Sequence, residues 1–87
     1  MKQALYFTAP WCEPCKATKP YFLELVQEIT KLEFYIIDVS ETPKIANQYK
    51  VRSVPTLMML DEDGDTIDRL VNPTSKEGMK AFIEGVM

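Results

Sequence analysis

Histidine is absent from the 87 residues. With it go the commonest general base, the commonest zinc ligand and any Ser-His or Cys-His nucleophilic pair. A basic excess is missing as well. Ten Lys and Arg stand against thirteen Asp and Glu, a formal charge of −3, and a pI near 4.9 leaves no cationic surplus to neutralise phosphates. Nucleic acid is therefore not an expected partner. Long apolar runs are also lacking: the longest uncharged stretch, Gln3 to Cys12, has ten residues, some of them polar, against about 20 apolar residues for a bilayer span. No membrane segment is expected. The same stretch has no small-residue cleavage site and is not a secretory signal, so the expected location is cytoplasmic. Cysteine is scarce, with two residues three positions apart. They cannot build the disulfide framework of a small secreted domain, and the loop they would close is tiny, so their pairing is expected to serve chemistry rather than stability.

What is present is an ordinary globular balance, 46% hydrophobic and 26% charged, in a chain long enough for one small domain, residues 1–87, expected as a monomer. Residues 2–7 form a short apolar run ending at Thr8-Ala9-Pro10, which predicts a buried strand and a turn. From Glu13 to about Lys31, Phe22, Leu25, Val26 and Ile29 fall at helical spacing, with Pro14 in the first turn and Pro20 predicting an interior kink. Glu33 to Val39 holds the continuous run Phe34-Tyr35-Ile36-Ile37, which predicts a strand covered on both faces and parallel to the first. Thr42-Pro43 predicts a capped short helix to about Tyr49. Leu57 to Leu60 follows Pro55-Thr56 as a third strand, and Asp61 to Asp65 predicts a hairpin turn into a strand over Thr66 to Val71. Asn72-Pro73-Thr74-Ser75 breaks the chain before a helix carrying Met79, Phe82, Ile83 and Val86 at helical spacing. The expected fold class is α/β, a four-stranded mixed sheet built as βαβ then ββα, with helices on both faces.

Trp11-Cys12-Glu13-Pro14-Cys15-Lys16 sets a Cys-x-x-Cys pair where the first strand turns into a helix. There the first sulfur faces unpaired backbone N–H groups and the positive end of the helix dipole, and both stabilise a thiolate. Cys15, one turn on, is near enough to close a disulfide and more shielded, so Cys12 is expected to be the more exposed sulfur. The other readings are half of a zinc site or two incidental buried cysteines. Zinc wants four ligands, and the chain has no His and no second Cys pair. No bound metal or cofactor is expected, and dithiol redox chemistry is the favoured reading. The acidic turn Asp61 to Asp65 is not a calcium loop, because Thr66 and Asn72 stand where glycine and glutamate are required.

These residues resemble the thioredoxin family. Trp11 to Lys16 is similar to its Trp-Cys-Gly-Pro-Cys-Lys, Pro20 matches its helix-kinking proline, and Val54-Pro55-Thr56 matches the segment holding its cis-proline. The resemblance runs from about Gln3 to Gly85 without the family's first strand and helix, a glutaredoxin-sized form. It implies that Cys12 attacks and Cys15 resolves the mixed disulfide, and that Trp11, Val54, a cis Pro55 and Asn72 face the substrate. The implied substrates are disulfide-containing proteins, with electrons from a thioredoxin reductase-like flavoenzyme, another dithiol or glutathione. Two alternatives are a glutathione-dependent, glutaredoxin-like oxidoreductase and a module that binds partners without redox turnover.

Three departures from the family bear on the redox chemistry. Tyr6 stands six residues before Cys12, where the resemblance implies a buried aspartate, and Phe34 is the expected position of that acid's lysine partner. A phenol with a reference pKa of about 10 is a poor base near neutrality. Glu13 replaces a glycine between the cysteines, and a carboxylate there disfavours a thiolate unless Lys16 or Lys19 offsets it. Asn72 occupies a family glycine position, and Pro73 after it biases Asn72 toward an extended backbone. Tyr6, Glu13, Pro14 and Lys16 are thus the candidate residues for tuning the redox pair.

Overall fold

The computed structural model describes residues 1–87. Its elements are β1 (Gln3–Thr8), α1 (Glu13–Glu28), β2 (Glu33–Asp38), α2 (Pro43–Gln48), β3 (Thr56–Leu60), β4 (Thr66–Val71) and α3 (Lys76–Gly85). They form one sheet in the order β2-β1-β3-β4. β1 and β2 run parallel across the α1 crossover, while β1–β3 and β3–β4 are antiparallel. This is the expected mixed sheet.

Alternation along the two central strands divides the interior. Ala4 and Tyr6 of β1 and Leu57 and Met59 of β3 face α1 and α3, packing on Phe22, Leu25, Met79 and Ile83. Leu5 and Phe7 with Met58 and Leu60 face the other way, against Ile45 of α2, Tyr49 and Val51. Full burial of each such side chain contributes about 1.5–3 kcal/mol, so the two layers together hold the sheet between its helices.

Several elements depart from their expected form. α1 stops at Glu28, and Ile29 turns extended while its N–H still donates to the Leu25 carbonyl at 2.9 Å. Ile29 nonetheless ends in the core, so the apolar stripe extends one residue past the helix. Pro20 lies inside α1 as expected and offers no N–H to the Lys16 carbonyl. β2 is an edge strand rather than a strand covered on both faces, with Tyr35 44% and Ile36 41% exposed. A continuous apolar run records hydrophobicity and says nothing of sheet order. Thr42 precedes α2 without capping it, because its hydroxyl donates back to the Asp38 carbonyl at 3.0 Å. Ser75 does cap α3, its Oγ accepting from the Gly78 N–H at 3.0 Å.

Asn72 is the clearest correction. Its φ is +54°, in the left-handed region and not extended. The chain must leave β4 and turn into α3 here, and the Asn72 N–H donates to the Pro55 carbonyl at 3.0 Å. Pro73 is buried behind it. Those contacts outweigh the bias of a following proline, and Asn tolerates this region better than most non-glycine residues.

Candidate active site

β1 ends at Thr8 and the chain turns through Ala9-Pro10-Trp11, closed by the Cys12 N–H donating to the Ala9 carbonyl at 3.2 Å. That turn makes Cys12 the N-cap of α1, extended at φ −88° and ψ 105°, with Pro14 in the first turn where a missing N–H costs nothing. Its Sγ accepts from the Cys15 N–H at 3.2 Å. Cys12 and Cys15 are joined in a disulfide, with Cα atoms 5.3 Å apart. In this oxidised form the two residues are 4% and 3% exposed, so the expected difference in sulfur exposure is not present. Helix dipole, free N–H groups and the Cys15 amide all favour negative charge on Cys12 once the bond opens.

The surroundings of Cys15 differ from expectation. Tyr6 lies fully buried on β1, its ring stacked on Phe22 with centroids 5.0 Å apart. Its hydroxyl is 2.6 Å from Thr18 Oγ1 and 3.4 Å from the Cys15 carbonyl. Thr18 Oγ1 also lies 3.2 Å from the Pro14 carbonyl, and either hydroxyl can donate in the short bond. Burial pushes the Tyr6 phenol upward, and the Thr18 bond offsets part of the shift. Phe34 is not the residue facing Tyr6. Register aligns Tyr6 with Ile36 and Phe34 with Ala4, and Phe22 packs against both Tyr6 and Phe34, edge-on to the latter at 5.6 Å. Phe34 belongs to the apolar core, as the absence of charge there implied. Thr18 escaped sequence reasoning. Its signal was a lone hydroxyl on the buried stripe Cys15, Thr18, Phe22, Leu25.

Two clefts flank the disulfide. One of about 310 Å³ is lined by both cysteines with Thr8, Lys16, Lys19 and Asp38. Asp38 closes β2 opposite Thr8. The Ser40 hydroxyl and amide, at 2.6 and 2.8 Å, hold its carboxyl below the usual range, and Lys19 adds to the effect. Lys16 donates to Glu13 at 2.8 Å, so the carboxylate between the cysteines has its own counter-ion on the exposed face of α1. The second cleft, about 140 Å³, lies between Trp11, Val39 and the Val51 to Val54 segment. Val39 and Val54 also pack on Ala9, Cys12 and Cys15, so this groove adjoins the sulfurs. Trp11 is 69% exposed, and the Val54–Pro55 bond is cis. Asp38, Val39 and Arg52 line these clefts without having been singled out from the sequence, since nothing local marks them.

Residues 2–85 match the model of the thioredoxin family. The chain is 41% identical over 78 residues to thioredoxin of Bacillus subtilis, covering 88% of this chain and 74% of that one. It is 39% identical over 71 residues to thioredoxin H5 of Arabidopsis thaliana, covering 82% of this chain and 59% of that one. The chain therefore spans about half to three quarters of the length of such relatives. Oxidised mitochondrial thioredoxin 3 of Saccharomyces cerevisiae superposes with a TM-score of 0.85 at 30% identity, over 97% of this chain and 77% of that one. A Cys-x-x-Cys disulfide capping the first helix, a cis-proline segment beside it and a family match along nearly the whole chain lead to one assignment: this chain belongs to the thioredoxin family.

Proposed function

We propose that the chain is a thiol-disulfide oxidoreductase that reduces protein disulfides through Cys12 and Cys15. The observation that carries this is the position of the Cys12 sulfur at the N-cap of α1, receiving the Cys15 amide. In the reduced protein the Cys12 thiolate attacks one sulfur of a client disulfide. A Cys12–client bond forms, the client bond breaks, and one client thiolate leaves and takes a proton. Cys15 then loses its proton and attacks Cys12 Sγ, closing Cys12–Cys15 and releasing the second client thiolate. Two electrons pass to the client, and its two sulfurs end as thiols. Tyr6 keeps its proton near neutrality, so the Cys15 proton goes to water or to the departing thiolate. Trp11, Val54, Pro55 and Asn72 form the client face of this reading, supported by Val54 packing on the cluster of Ala9 and the two cysteines and by the Asn72 N–H bonding the Pro55 carbonyl. A flavin-dependent reductase or another dithiol restores the reduced pair, and no bound cofactor takes part. The work is that of a monomer in a reducing compartment such as the cytoplasm, in keeping with a chain whose cysteines are confined to one redox pair.

Single-turnover reduction of a fluorogenic peptide disulfide tests the assignment. The parent should release one equivalent of client dithiol, Cys12→Ser none, and Cys15→Ser should stop at a stable mixed disulfide. Turnover in Cys12→Ser would overturn the reading. Steady-state rates with a flavoprotein reductase and with glutathione distinguish the two electron sources, and survival of partner binding without turnover in the double serine variant would favour a binding module.

A further inference from the structure

The two clefts beside the disulfide differ in how their charges are answered. In the larger one Lys16 is paired with Glu13 at 2.8 Å, and Lys19 acts on the Asp38 carboxylate. The smaller groove has walls from Trp11, Val39, Val51 and Val54, with Arg52 and Ser53 completing it. Arg52 is exposed, and its guanidinium takes part in none of the side-chain hydrogen bonds or ion pairs of the fold. The other arginine, Arg69, is used internally, donating to the Tyr49 and Lys50 carbonyls at 2.5 and 3.1 Å. An apolar groove that adjoins the reactive sulfurs thus carries one uncompensated cation.

The charge of the whole molecule sharpens this. Net charge is −3, but β3 begins beside the site at Thr56 and runs away from it to Leu60. The turn with Asp61, Glu62, Asp63 and Asp65 therefore lies at the opposite end of the sheet. At about 0.15 M salt the screening length is only about 8 Å, so a client docked at the groove senses Arg52 far more than that turn.

We propose that this groove selects clients by charge: it takes an extended segment with one apolar side chain next to the reactive cysteine and a carboxylate within reach of Arg52. The inference rests on the redox reading above for the identity of the occupant as a client. The pocket's size suits a single aliphatic side chain, and a guanidinium fork matches a carboxylate in geometry as well as sign. Complementary charge at such a rim acts chiefly on encounter and on choice of partner.

The test uses peptides with a leucine next to the cysteine and Glu, Gln or Lys placed in turn at each of the next three positions. Two readouts are taken. In the first, each peptide is a mixed disulfide with a chromogenic thiol, and its single-turnover reduction by the parent and by Arg52→Glu is timed. In the second, the cysteine is replaced by serine and the peptide is titrated into the oxidised protein while the fluorescence of Trp11, the single tryptophan, is followed. At about 0.15 M salt and the best position the Glu peptide should react and bind about 5-fold better than the Lys peptide. The ratio should invert in Arg52→Glu and fall below about 2-fold at 0.5 M salt. A Glu-to-Lys ratio that is equal in parent and variant, by both readouts, would overturn the inference while leaving the redox function intact. Charge-dependent titration of Trp11 without reduction of any peptide would uphold the groove and sink the redox reading instead.

Discussion

Tyr6 shows how one side chain couples the redox loop to the core. Its ring fills the layer between β1 and α1, and its hydroxyl reaches Thr18 at the start of the helix that carries Cys15. Tyr6→Phe keeps the stack on Phe22 and deletes the hydroxyl, so it should cost about 1 kcal/mol, a fall in Tm of about 4–8 °C for a chain of this size. The variant also has a pH signature. Burial raises the folded-state pKa of this phenol above its unfolded value near 10. The stability it supports is whole below that pH and is lost as pH rises through the folded value, because only the unfolded state ionises readily. Thermal melts of the oxidised protein between pH 8 and 11.5 should show a parent that weakens above about pH 10 and a Tyr6→Phe protein with a flatter profile. Tyr35, whose phenol is raised chiefly by a solvent-exposed bond to Glu33, should add a smaller loss in the same window, so Tyr35→Phe should flatten the profile less than Tyr6→Phe does. Register supplies a second prediction. Tyr6→Asp buries an unpaired carboxylate and should cost about 3 kcal/mol or more. Adding Ile36→Lys, directly across the β1–β2 pair, should recover part of that loss, whereas adding Phe34→Lys should not. Urea titrations of the three variants decide between the two positions.

At the scale of an element, the segment between α2 and β3 is the one on which the groove depends. It leaves α2 through Lys50, whose φ is +58°, and then supplies Val51, Arg52, Ser53 and Val54. A lysine in the left-handed region is held there by its surroundings rather than by preference. Arg69 of β4 is part of what holds it, since its guanidinium bonds the carbonyls on both sides of the Tyr49–Lys50 peptide. Arg69→Ala should therefore cost about 1–2 kcal/mol and loosen one wall of the groove. Peptide-disulfide kinetics should show a rise in KM larger than the fall in kcat, with urea unfolding reporting the stability change. An unaltered KM would mean that the wall keeps its shape without β4. The same element also illustrates what local pattern misses: the Thr42-Pro43 start of α2 was legible, but the positive φ at Lys50 carries no glycine to announce it.

For the molecule as a whole, sheet order sets the ranking of local stabilities. β1 and β3 are bonded on both sides and buried on both faces, whereas β2 and β4 are bonded on one side only. Amide hydrogen exchange should find the slowest protons in β1 and β3, near the global unfolding free energy, with alternate amides of β2 and β4 exchanging orders of magnitude faster. Uniform protection along β2, where Tyr35 and Ile36 are exposed, would instead indicate that this edge is covered in solution by another chain. The candidate site lies at the end of the sheet where the most protected strands terminate or begin, Thr8 of β1 and Thr56 of β3. The reactive loop is thus mounted on the stiffest part of the fold.

Element order, the mixed strand pattern and the redox pair at a strand-to-helix junction were all determined by the sequence itself. Each rests on neighbours along the chain: helical spacing in α1 and α3, an acidic turn between β3 and β4, two cysteines one helical turn apart. What lay beyond reach depends on neighbours across the chain. Phe34 to Ile37 and Leu57 to Leu60 are equally apolar as strings, yet the first is an edge and the second a centre, because sheet order follows from packing and not from hydrophobicity. Register made Ile36 rather than Phe34 the residue opposite Tyr6. A turn anchored on the Pro55 carbonyl put Asn72 in the left-handed region against the bias of Pro73. The Lys16–Glu13 pair is local, one turn of α1, but tertiary structure alone left Arg52 free beside the groove, since whether a charge is answered depends on which groups folding brings within a few ångströms of it.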